Sequence, residues 1–181
     1  MEEETIIIQK HQFKFVKCSE NHFRTRFSIE SSSLNLENIL NFDLMKLIYD
    51  LNPDIFQECS INKISDSEAI YIIIFKHLFK DIGLPQRYAH VKLTRKQEGN
   101  KITFIGSPIF SKPSITIPEG CQQLPTQSLI YECNMESLHK INIIQNVYFQ
   151  KHFNPPDFLI KFLGNFSIKI FLRLKQFIEK M

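Results

Sequence analysis

Arg87, Tyr71, Tyr88, Tyr131, Tyr148, Gln145 and Asn146 are the side chains whose types and settings suit chemistry. Each stands in an otherwise apolar, strand-like run. Arg87 opens such a run, and its planar fork can meet a phosphate or a carboxylate. The four tyrosines can together form part of an aromatic box for a cationic group, or offer hydroxyls to a sterol. Singly, each also reads as packing. Gln145 and Asn146 are polar in the middle of Ile141-Asn-Ile-Ile-Gln-Asn-Val-Tyr-Phe-Gln150. Neighbouring residues of a strand face opposite ways, so at most one of these amides contacts a ligand on a given face. A Phe in place of Asn146 is expected to block a cavity there while leaving stability near normal.

Bond-making chemistry finds less support. His77 and His90 lack a Ser-His-Asp or Cys-His context, so no catalytic residue is assigned and the chain is read as non-enzymatic. Cys18, Cys59, Cys121 and Cys133 are widely spaced, with no CxxC or Cys/His pattern, so neither a metal nor a cofactor is expected. A few polar groups in apolar surroundings suit recognition of a largely apolar molecule.

The elements that must position these groups come from the rest of the chain. Its 181 residues suit one domain spanning 1–181, long enough to bury roughly 70% of the unfolded surface. There are 17 Phe and no Trp, which fits either a bulky core or a cavity for an apolar guest. With 22 basic and 19 acidic residues, the net charge of +3 is too balanced to imply nucleic acid. The acidic Met-Glu-Glu-Glu start is neither a secretory signal nor a transit peptide, and no apolar run approaches a membrane span, so a cytoplasmic monomer is expected.

Thr5–Lys17 is β-rich and Phe23–Ser31 alternates, with a turn at 18–22. From Ser33 to Leu51 the period becomes helical, until Asn52-Pro53 stops it. Strand signals follow at Phe56–Ile64, Ala69–Lys76, Arg87–Arg95 and Lys101–Gly106. Residues 107–127 form a Pro-rich irregular stretch, and Ser128–Cys133 and Leu138–Gln150 complete the strands. The last 28 residues read as a long amphipathic helix. Asn154 is its candidate cap, the two prolines start it, and its Phe-rich face includes Phe158 and Phe162. Its basic residues, Lys161, Lys169, Arg173, Lys175 and Lys180, fall mainly on the other side and are a candidate contact for anionic head groups. Hairpin-length turns and helices at only two places give an α+β class with an antiparallel sheet.

In order and spacing, five pieces resemble the START (steroidogenic acute regulatory protein-related lipid transfer) domain. They are Gln86-Arg87-Tyr88-Ala89-His90-Val91-Lys92; the Glu98-Gly99-Asn100-Lys101-Ile102-Thr103-Phe104 hairpin; Ser107-Pro108 through Pro118-Glu119-Gly120; Tyr148-Phe149-Gln150; and Asn154-Pro155-Pro156-Asp157-Phe158-Leu159. The resemblance is strongest over 69–181. The family's Trp residues are absent, and Arg87 stands where the family's "RDY" step has Asp. The resemblance implies a helix-grip fold, in which a curved antiparallel sheet wraps around the C-terminal helix. It implies a tunnel holding one phospholipid or sterol, exchanged between membranes through transient surface contact. The ligand-binding set is then Arg87, Tyr71, Tyr88, Tyr131, Gln145, Asn146, Tyr148, Phe158 and Phe162. The alternative is the same scaffold with a filled core, acting as a non-catalytic interaction protein.

Overall fold

The computed structural model describes residues 4–181; residues 1–3, which include most of the acidic start, lie outside them. Strands β1 (Thr5–Lys10), β2 (Phe13–Ser19) and β3 (His22–Glu30) form a meander. Helices α1 (Leu36–Ile39) and α2 (Phe42–Asp50) follow. Next come β4 (Phe56–Lys63), β5 (Glu68–Phe75), a single 3-10 turn at Lys80–Ile82, β6 (Arg87–Glu98) and β7 (Lys101–Pro108). The short β8 (Gln122–Gln123), then β9 (Thr126–Ser137), β10 (Lys140–Phe149) and α3 (Asp157–Glu179) end the chain. The strands make one sheet in the order β1-β2-β3-β10-β9-β7-β6-β5-β4. All neighbours on that path are antiparallel, and β8 adds a parallel pairing at the start of β6. Together with α3 this is the helix-grip architecture expected from the sequence.

Local chemistry explains three departures from the sequence expectation. The β-rich run 5–17 is broken by a tight turn in which His11 and Gln12 take φ of 51° and 66°. Such turns usually advertise themselves with Asn or Gly, which are missing here. The helical stretch 33–51 is two helices, because Asn41 is extended and its side chain accepts from the Asp43 amide, starting α2 afresh. At α3 the cap position falls to Pro156 rather than Asn154, and no side chain bonds there. The Pro156 carbonyl accepts from the Leu159 and Ile160 amides, and Asp157 in the first turn suits the positive dipole end.

More of the buried residues of α3 lie in its C-terminal half. Phe13 stacks on Phe27 at 4.7 Å and Phe27 on Phe171 at 5.0 Å, joining β2, β3 and α3 in one aromatic column. Ile168, Leu174 and Ile178 are almost wholly buried beside it. The basic residues of this half act as clamps. Lys169 and Arg173 both bind Asp54, at 2.6 and 2.5 Å, and Lys175 donates to the Ser28 carbonyl at 2.7 Å. Nearer its start, α3 is seated on β1 and β2 through Gly164. A Cβ there would lie 2.5 Å from the Phe15 ring and 2.9 Å from the tip of Ile8, so these side chains lie closer to the helix backbone than a larger residue permits.

Candidate functional site

The N-terminal half of α3 does not fill the space beneath it. Between this half, α2 and the sheet lies a cavity of about 320 Å³. Its walls are overwhelmingly apolar. Odd-numbered residues of the central strands supply most of them: Ala89, Val91 and Leu93 from β6, Leu129 from β9, Val147 and Phe149 from β10. These are the faces that period-two geometry turns towards the helix. Met45, Ile48 and Tyr49 of α2 close one side; Phe162, Leu163, Phe166 and Ile170 of α3 close another.

The open end lies where β5 leaves and β6 begins. Leu78, Phe79 and Pro85 of the 76–86 connection meet Leu124 and Phe162 there. The Phe79 and Phe162 rings pack edge to face at 4.3 Å across the loop–helix boundary. Lys76 and Arg87 are the cations at this end. Arg87 Nη1 donates to Gln122 Oε1 at 3.1 Å and reaches the Gln123 carbonyl at 3.5 Å. Its Nε and Nη2 meet no acceptor among the described residues, and no carboxylate pairs with it.

The inner end holds a cluster of neutral polar groups. Gln145 Nε2 donates to the Tyr131 hydroxyl at 3.1 Å. Gln145 Oε1 accepts from Thr25 at 3.2 Å and from Ser167 at 3.0 Å, and the two hydroxyls are 2.9 Å apart. Tyr131 is further held edge-on by Phe171 at 6.1 Å. Burial pushes its phenol up to about 12, so it stays protonated at any ordinary pH. Tyr71 also borders the cavity, but its hydroxyl donates to the Phe42 carbonyl at 3.1 Å, tying β5 to α2.

Of the nine residues expected from the sequence, the cavity thus brings together Arg87, Tyr71, Tyr131, Gln145 and Phe162. The other four lie elsewhere. Tyr88 is one step along β6 from Arg87, faces the opposite side, and pairs across the sheet with Ile74. Asn146 is likewise on the outer face, where its Oδ1 meets His22 at 2.9 Å and Arg24 at 2.7 Å. A Phe at Asn146 would therefore disrupt that network instead of blocking the cavity. Tyr148 stacks on His22 at 4.1 Å. Phe158, one turn before Phe162, is 57% exposed. Sequence reasoning missed Thr25, Ser167 and Phe79. Ser167 left a signal: it stands four residues from both Leu163 and Phe171 in the apolar stripe of α3, where a hydroxyl needs a partner. Among the described residues no group of three or more His, Cys, Asp or Glu could hold a metal ion. No helix among them is long and apolar enough to cross a membrane.

No protein-family model matches the chain, and no curated protein matches it by sequence. Solved structures do match. Human StAR-related lipid transfer protein 5 superposes with a TM-score of 0.74 at 12% identity, over 97% of this chain and 86% of that one. The lipid transfer and protein localization domain of human StarD13 (DLC2) gives 0.71 at 10% identity, over 100% and 91%. A STAR-related lipid transfer protein from Xanthomonas axonopodis gives 0.67 at 11% identity, over 97% and 98%. At such identities the likeness is one of fold, and the chain has the helix-grip fold of the StAR-related lipid-transfer domains.

Proposed function

We propose that this protein is a lipid carrier that holds one lipid, of phospholipid or sterol class, in the cavity under α3 and exchanges it between membranes. The observation that carries the reading is the apolar space itself, unfilled beneath a helix whose other half is tightly packed. A filled interaction scaffold would have packed rings there instead. The names of the structural neighbours speak of lipid transfer, which favours the same task here. Burying hydrocarbon in the cavity gains about 0.8 kcal/mol per CH₂, and leaving a bilayer costs about as much. Capture and release are then close to balance, and exchange needs no catalytic group.

At about 320 Å³ the space is at the low end of ligand pockets, which run from about 300 to 1,000 Å³. That favours a sterol or a single chain over two acyl chains side by side. Arg87 at the open end, with part of its guanidinium unsatisfied, suits a phosphate or carboxylate that stays near water. Leu78, Ile82, Phe110 and Phe158 are exposed in the loops and helix start around this end, and serve as the membrane-touching surface. The basic residues of α3 are less suited to that role, because Lys169, Arg173 and Lys175 are engaged with the protein.

The test is native mass spectrometry of protein purified from its own cells, with extraction and identification of any lipid. It is paired with transfer of labelled lipid between vesicles. One bound lipid per chain and accelerated transfer are expected. Protein that carries no lipid and accepts none from vesicles overturns the proposal.

A further inference from the structure

The proton count at the inner end of the cavity leaves two donors unused, one N–H of the Gln145 amide and the Tyr131 hydroxyl. Two hydroxyl protons, from Thr25 and Ser167, are both used within the three mutual contacts among Thr25, Ser167 and Gln145 Oε1, filling two of them at a time. These groups are satisfied locally. The Tyr131 oxygen accepts from Gln145, but its own O–H has no acceptor among the described residues, and it borders the cavity. Tyr131 is half-buried, exposed to the cavity and not to bulk water, and a donor left unused in apolar surroundings is costly. The tyrosine cannot swing away to water, because Gln145 holds the oxygen and Phe171 holds the ring.

The surroundings narrow what can meet that donor. Tyr131 pairs with Phe104, and Phe104 with Arg95. Arg95 is eight residues along β6 from Arg87 (95 − 87), up to roughly 26 Å of strand. The cations of the cavity wall, Arg87 and Lys76, are thus remote from this end, and no carboxylate lines it. Arg95, level with Tyr131, does not line the cavity and donates to the Leu40 carbonyl and Gln97. An ionised group would therefore find no counter-charge in the cavity wall here. An uncharged oxygen needs none.

Resting on the reading that the cavity holds a lipid, we infer that Tyr131, oriented by Gln145, donates its hydroxyl proton to an uncharged oxygen of the bound molecule. Tyr131 is then the residue that distinguishes an oxygenated lipid from a bare hydrocarbon of the same shape. The shared chemistry is a neutral hydroxyl or carbonyl, whether on a ring system or on a single chain.

The experiment uses displacement of diphenylhexatriene, a fluorescent hydrocarbon with no oxygen, from the full chain. Four competitors form two matched pairs: cholesterol with cholestane, and 1-octadecanol with octadecane. At least one oxygenated member is expected to displace the dye at about tenfold lower concentration than its hydrocarbon partner, as for one neutral hydrogen bond. The pair that shows the larger ratio tells ring from chain. Tyr131→Phe, which removes one oxygen atom from the wall, is expected to bring that ratio to about one while the dye still binds, with Tm somewhat lowered because the Gln145 N–H loses its acceptor. Gln145→Met, which frees the phenol, is expected to lower the ratio in part and serves if the first variant folds poorly. Equal displacement by both members of each pair, or an undiminished ratio in Tyr131→Phe, overturns the assignment of Tyr131 while dye binding upholds the cavity. Failure of the dye and of all four competitors to bind overturns the cavity reading and this inference with it.

Discussion

Replacing Gly164 by alanine is the sharpest test of how α3 is seated. In an exposed helix the change stabilises by about 1 kcal/mol, because glycine is a poor helix former. Here the new Cβ would lie 2.5 and 2.9 Å from two atoms of the Phe15 ring and 2.9 Å from the tip of Ile8. Ile8 can turn away. Phe15 is 4% exposed and stacks parallel to Phe23 at 5.8 Å, so it can shift only into the cavity it borders, giving up that stacking. Overpacking of this kind costs about 1–3 kcal/mol. The steric cost exceeds the propensity gain, leaving a net loss of about 1 kcal/mol, or a Tm lower by roughly 2–4 °C for a chain of this size. Thermal unfolding followed by far-UV circular dichroism measures it. In a Phe15→Leu background the clash is relieved, so Gly164→Ala should raise the Tm of that variant. A Tm equal to or above that of the unmodified protein in the Gly164→Ala single variant refutes the close seating of α3 on β2.

Four further outcomes are expected. A chain ending at Asn154 loses Ile160, Ile168, Phe171, Leu174 and Ile178, each buried and contributing about 1.5–3 kcal/mol. The sum is comparable to the roughly 5–15 kcal/mol that holds a typical domain together, so urea titration should show no cooperative transition. Val147→Phe projects into the cavity from mid-β10 and should abolish lipid uptake, whereas Asn146→Phe should lower the Tm by breaking the contacts to His22 and Arg24. Ile82→Glu places a charge on the exposed 3-10 turn; vesicle transfer should slow while dye binding in the cavity is unchanged. The fourth concerns acid. Hydrogen bonding to Arg26, reinforced by Arg24, holds the Glu4 carboxyl down at about 2, from 4.5. A depressed folded value stabilises above the unfolded one, so this contribution is complete above pH 4.5 and is lost as pH falls towards 2. Glu4→Gln should flatten the fall of Tm across that window and leave the profile above pH 6 parallel to that of the unmodified protein.

The sequence by itself determined most of the elements and their order, though not the turn between β1 and β2, the division of α1 from α2, or β8. A period of two marked most strands, a period near 3.6 marked α3, and the spacing of Pro, Gly and Asn punctuated them, because these are local properties of backbone and side chain. It also picked out Arg87, Tyr131 and Gln145 as polar residues in apolar strands. It could not tell Gln145 from Asn146. Adjacent strand residues differ only in which side of the sheet they face, and both sides of β10 carry apolar neighbours. The pairing of Gln145 with Thr25 and Tyr131, set by contacts between β3, β9 and β10, decided it. Nor could composition say whether 17 Phe fill a core or line a void. Phe13 and Phe27 stack in a solid aromatic column, while Phe162 and Phe166 border empty space. The difference is set by where strands, loops and α3 meet around the cavity, and so jointly by residues scattered along the whole chain.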